Sequence, residues 1–129
     1  FEVAMTGTQS FIAWMEERYA AVMAAERHAL DELDAGNTGA YTAAMKEKAS
    51  LLATMDRDAA ALAEEVEPPA LRDAAAHALH RFSNSARNAL RLDSVFYMSA
   101  LLYPDDHKAG EPDNLRLFID GLRAGRLEA

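Results

Sequence analysis

Asp73, His77 and His80 stand four and three residues apart, so a helix would put a carboxylate and two imidazoles on one face, within reach of a metal ion. Metal sites in helical bundles draw further carboxylates from neighbouring helices, typically through Glu-x-x-His motifs, and this sequence has none. The three residues therefore read as a solvated polar face. Asp105-Asp106-His107 has the residue types of an acid–base site but follows Pro104, where a helix must stop, and reads as loop. Ser83, Ser85, Ser94 and Ser99 have no His and acid at a recognisable spacing, and no Gly-x-Ser-x-Gly elbow exists. The six glycines form no phosphate-cradling loop, and the absence of cysteine removes thiol chemistry, disulfides and Cys-ligated zinc. No catalytic set, metal set or cofactor is expected. The chain reads as a binding protein rather than an enzyme.

Composition points the same way. The 129 residues suit one domain, and the apolar half of the chain is dominated by Ala, Leu and Met, which lose little rotamer freedom in helices. A net charge of −8 repels phosphate backbones and anionic lipid, so neither nucleic acid nor a membrane surface is an expected partner. No run reaches the ~20 apolar residues that span a bilayer. The chain opens at Phe1 rather than Met, as expected where a start segment has been trimmed.

The elements that would position any binding surface are helices. Ile12, Met15, Tyr19, Val22, Glu26, Ala29 and Leu33 follow a 3,4 spacing, predicting a helix from about Thr8, its expected cap, to Asp34. Gly36 suits the left-handed stop, and Asn37 or Thr38 can cap the next helix. Tyr41, Met45, Lys48, Leu52, Met55, Ala59, Leu62 and Val66 continue the ladder over about 39–65. So short a linker makes the two an antiparallel hairpin spanning about 8–66. Folding about Gly36–Asn37 brings the one charge in each ladder, Glu26 and Lys48, nearly level. They are expected either to pair across the seam, penalising any register slip, or to snorkel outward.

Pro68-Pro69 ends the hairpin, and the pattern from Pro69 to Tyr103 predicts a third helix. About 35 residues reach ~50 Å, against ~40 Å for the earlier helices, so this helix should overhang one end. Its middle, Ser83-Asn84-Ser85 and Asn88, is unusually polar, and a heavier apolar cluster follows at Leu92, Val95, Phe96, Leu101 and Leu102. Phe11 and Trp14, beside the first ladder, should lie under the third helix. Of the methionines, 15, 45 and 55 belong to the ladders and Met23 lies off them. After the 104–113 loop, Leu115, Phe118, Ile119 and Leu122 mark a short amphipathic helix that Asp113 can cap and that Gly121 and Gly125 weaken. The fold class is all-α, an antiparallel bundle of three long helices plus a short C-terminal one in a single domain over 1–129.

Three stretches carry a family resemblance. Glu26-Arg27-His28-Ala29-Leu30, the Ala35-Gly36-Asn37 turn and Lys46-Glu47-Lys48-Ala49-Ser50-Leu51-Leu52 resemble the FlgN-type flagellar export chaperones, as does Asn84-Ser85-Ala86-Arg87-Asn88-Ala89-Leu90. The resemblance implies a cytoplasmic chaperone of the flagellar type III export system. It would bind the amphipathic terminal helices of hook-associated proteins and deliver them to the export apparatus, holding each helix in an apolar groove. The expected partner-binding residues are Phe96, Leu115, Phe118, Ile119 and Leu122, with the last four either docked on the bundle or exchanged for a client. A helical sensory or ligand-binding domain is the alternative. Exposed apolar stripes could also support a homodimer.

Overall fold

A computed structural model describes residues 4–127. Those residues form helices joined by turns and loops, with no strand among them, and the protein is an all-α bundle. Helix α1 (Gly7–Asp34) is capped by Thr6 rather than Thr8. The Thr6 hydroxyl accepts from Gln9 N while Gln9 Oε1 accepts from Thr6 N, a reciprocal cap that satisfies two orphan donors. Thr8 instead ties the helix start to the far end of the hairpin, accepting from Glu67 N at 2.9 Å. At the other end Gly36 turns left-handed (φ 80°), and Gly36 N and Asn37 N close on Leu33 O and Glu32 O. Those two bonds end α1 and send the chain back antiparallel.

The return strut is not one helix. Helix α2 (Thr38–Ala53) is followed by two single turns, α3 (Met55–Asp58) and α4 (Ala60–Ala63). Three side chains from neighbouring helices take the carbonyls that would have continued the ladder. Arg18 donates to Leu51 O at 2.7 Å, Ser83 to Leu52 O at 2.8 Å and Arg87 to Ala53 O at 2.8 Å. Asp56 N, which would have bonded Leu52 O, donates to the Ser83 hydroxyl instead (3.0 Å). A hydroxyl spliced into a helix ladder interrupts it without leaving a buried group unpaired. The polar middle of the third segment thus has a use, because Ser83 is fully buried at this splice. Asp56 accepts both Arg87 guanidinium nitrogens and Asp58 accepts from Thr54 and Arg18, which hold both carboxyls below their usual range.

The long third helix is also shorter than its pattern suggests. Helix α5 (Pro69–Arg91) ends at Leu92, where Asp93 adopts φ 50° and Asp93 N and Ser94 N close on Leu90 O and Ala89 O. Ser94 then caps a new helix, α6 (Val95–Ala100), accepting from Tyr97 N at 3.1 Å. The expected ~50 Å strut with an overhanging end is therefore two helices joined by a bend. A turn over Ala100–Tyr103 reverses the chain, with Leu102 held left-handed (φ 78°) and Tyr103 N bonded to Ala100 O. A non-glycine residue there costs on the order of 1–2 kcal/mol. The burial of Leu102 offsets that cost, and its carbonyl receives Asn114 N at the start of the last helix.

Helix α7 (Asn114–Ala124) packs on α1 and on α5. Phe118 stands between Phe11 of α1 (centroids 6.5 Å apart, nearly perpendicular) and Phe82 of α5 (5.7 Å). The ring that meets Phe11 thus comes from the last helix, where the sequence pattern assigns its cover to the third. Trp14 is half-buried, with the Arg18 guanidinium 4.6 Å from its ring, and Met23 packs against the core from its edge. The two glycines that weaken α7 in isolation serve the turn that ends it. Gly125 (φ 73°) turns the chain back, and a Cβ at Gly121 would come within 2.8 Å of Arg126 O and 2.7 Å of the returning Leu127 side chain. Among the described residues no helix is long and apolar enough to cross a membrane.

Candidate protein-binding site

Helix α6 has fewer than two full turns, so it can direct few side chains inward. Met98 is the one fully buried, in a cluster with Ala29, Ala44, Met45, Ala49 and Ala89 at the turn end of the hairpin. Val95 and Leu101 flank it, partly buried. The remaining large side chains point out. Phe96 is 75% exposed, Tyr97 53% and Leu92, at the bend just before, 61%. The Phe96 and Tyr97 rings meet edge-on at 5.7 Å. Leu30 and Leu33, on the last turns of α1 at the same end of the bundle, are also exposed. Contiguous large apolar groups left in water are what a candidate binding surface requires, and the Phe96–Tyr97 pair supplies them here. A salt bridge between Lys46 and Asp93 (3.2 Å) ties the bend to α2.

Behind this surface lies a polar pin. Glu26 and Lys48 meet across the hairpin, Nζ to Oε1 at 2.8 Å, with Lys48 wholly buried. Nζ also donates to Ser99 O of α6 (3.3 Å) and lies 5.2 Å from the Tyr103 ring centroid, while the Tyr103 hydroxyl donates to the second Glu26 oxygen. Burial lowers the Lys48 pKa against the pull of Glu26, and burial together with the Glu26 hydrogen bond raises that of Tyr103. Every buried side-chain polar atom among the described residues has a partner. The pin fixes hairpin register and the seat of α6 together, since one lysine serves both.

The other four expected partner-binding residues lie elsewhere. Leu115, Phe118, Ile119 and Leu122 are all buried against the bundle, the docked one of the two arrangements expected for them. Their 3,4 spacing aligns them on one stripe, and that stripe fills the trough over α1 and α5. Polar bonds hold it there. Asp113 accepts from Leu115 N and Arg116 N (both 2.9 Å) and from the Tyr19 hydroxyl (2.7 Å), and Arg116 and Arg123 reach Glu16. The Arg116 hydrogen bond holds the Glu16 carboxyl below its usual range, and burial with the Asp113 bond pushes Tyr19 up to about 12.

Of the five residues singled out from sequence, Phe96 alone faces solvent, and the structure adds Tyr97 and Leu92 beside it. The signal for these two was the Asp93-Ser94 cap, because a helix restarting at Val95 can point only part of Val-Phe-Tyr-Met inward. Asp73, His77 and His80 are exposed on α5, where His80 Nδ1 lies 3.5 Å from Asp56; among the described residues no three His, Cys, Asp or Glu side chains gather as a metal site would need. His107 packs against Tyr103 and bonds Glu111 O (2.9 Å) in the loop. No family model, curated protein or solved structure matches the chain.

Proposed function

We propose that the chain is a cytoplasmic export chaperone of the FlgN type, which keeps the amphipathic terminal helices of flagellar hook-associated proteins covered until the export apparatus receives them. The observation that carries this reading is the solvent-facing pair Phe96 and Tyr97 on α6, a helix held to the bundle by Met98 and the Lys48 pin, with exposed Leu92 at the bend before it. Such a surface is prepared in advance, so a client need order only itself. A client helix would lay its apolar stripe across the two rings, removing both from water, with the Tyr97 hydroxyl left at the edge for a polar contact. Leu115, Phe118, Ile119 and Leu122 then hold α7 on α1 and α5. Resemblance at the Gly36 turn, the Lys46–Leu52 stretch and the Asn84–Leu90 stretch supplies the flagellar part of the proposal.

The test is titration of terminal-helix peptides from hook-associated proteins into wild-type protein and Phe96→Asp, with circular dichroism to confirm equal helix content. A central aromatic anchor is worth about 2 kcal/mol, so the variant should bind ~30-fold more weakly. Equal binding by both proteins, or no binding by the wild type, would count against the proposal.

A further inference from the structure

Among the described residues, Asp93 (φ 50°) and Leu102 (φ 78°) are the two that adopt a left-handed backbone without being glycine. They stand at either end of α6, separated from it by one residue each. A left-handed backbone crowds a side chain against the following carbonyl, and Asp tolerates this better than Leu does. Such conformations persist where the surroundings impose them, and they concentrate at segments that switch. Hinges absorb changes of φ and ψ at a few residues flanking an element, which is where these two lie.

Few contacts fasten the segment between them. Met98 is the one side chain of α6 wholly buried, in the cluster with Ala29, Ala44, Met45, Ala49 and Ala89. Lys48 Nζ donates to Ser99 O at 3.3 Å, a longer bond than the 2.8 Å one to Glu26. The Lys46–Asp93 pair stands largely in water, where an ion pair contributes little. Both flanks are anchored separately. Ala89 is buried near the end of α5, Leu102 is buried with its carbonyl bonded to Asn114 N, and Tyr103 bonds Glu26. The segment can therefore lift without moving either flank. Six residues do not stay helical alone in water, so α6 unravels as it lifts.

We propose that residues 93–102 form a flap that opens as one unit about Asp93 and Leu102 while the rest of the bundle stays folded. Opening takes Ser99 away from Lys48 and admits water to an amine that is fully buried when the flap is shut. It also disperses the Phe96–Tyr97 face. Any molecule that grips this face in its ordered form shuts the flap, because it binds one of the two states. The opening belongs to the free protein and does not depend on what covers Phe96.

Two readouts on the free protein test the flap. One is amide exchange of α6. The other is acetylation of Lys48 by an N-hydroxysuccinimide ester, read by mass spectrometry against exposed Lys46 in the same helix. Met98→Ala should raise both about 30-fold, since both report the same opening. Asp93→Val should raise both about tenfold above Asp93→Asn; each removes the charge, but only Val is crowded by a left-handed backbone. Val66→Ala, buried at the far end of the bundle, should speed about tenfold the amides that exchange only by global unfolding. It should leave both readouts at α6 unchanged. Circular dichroism checks that each variant stays folded. If Val66→Ala speeds α6 exchange and Lys48 labelling as much as the core, the segment opens only with the whole protein and the proposal fails. It fails also if Met98→Ala speeds α6 exchange without Lys48 labelling, which is fraying, or if Asp93→Val matches Asp93→Asn.

Discussion

Helices α6 and α7 follow the same long helix, are both short, and are both capped by a side-chain oxygen, Ser94 in one and Asp113 in the other. Their fates differ. Helix α7 spans three turns, aligns four apolar residues on one face and buries all four. Helix α6 spans fewer than two turns, buries Met98 and leaves Phe96 and Tyr97 in water. The contrast teaches that a regular apolar stripe marks what the protein keeps for itself. What it leaves in water is the apolar residue that no stripe can accommodate.

The largest effect expected from this contrast is on stability. Phe118→Ala removes the ring between Phe11 and Phe82 and should cost about 3–5 kcal/mol in urea unfolding, whereas Phe96→Ala should change stability by less than ~0.5 kcal/mol. Similar losses for the two would erase the distinction between the helices. Next comes the pin. Lys48→Ala strands the Glu26 carboxylate and should cost about 3 kcal/mol, while Glu26→Gln with Lys48→Met, which removes both charges, should cost much less. Double-mutant analysis by denaturant titration separates the two cases. Smaller still, Asp113→Ala removes the α7 cap and the acceptor for Tyr19 and should cost about 1–2 kcal/mol. The smallest effect appears with pH. Because Tyr19 is raised to about 12, the stability it contributes is complete below pH 10 and is lost as pH climbs toward 12. Tyr19→Phe should make that part of the thermal-midpoint profile less steep without flattening it, because Tyr103 is raised as well.

The hairpin was legible because its information is local. Each ladder repeats at 3,4 spacing, Gly36 has one structural use, and the single charge in each ladder stands level with the other. The break at Thr54 was not legible, since its cause lies about thirty residues away: Ser83, Arg87 and Arg18 reach carbonyls that a helix pattern assigns to its own amides. The bend at Asp93 had a local signal in Ser94, masked by the apolar run on both sides of it. For the candidate site, spacing identified α7 as amphipathic but could not say which trough it fills, because Phe11 and Phe82 converge on Phe118 only in three dimensions. Phe96 was legible as apolar; its exposure follows from the bend that the pattern concealed.

Amide hydrogen exchange, with and without a bound hook-associated terminal helix, tests the division of labour between α6 and α7 most directly. In the free protein, α7 amides should be protected close to the global unfolding limit while α6 exchanges faster, and adding the client should slow α6 and leave α7 unchanged. Fast exchange throughout α7 in the free protein, or loss of its protection when the client binds, would mean that Leu115, Phe118, Ile119 and Leu122 are surrendered to the partner and contradict the account.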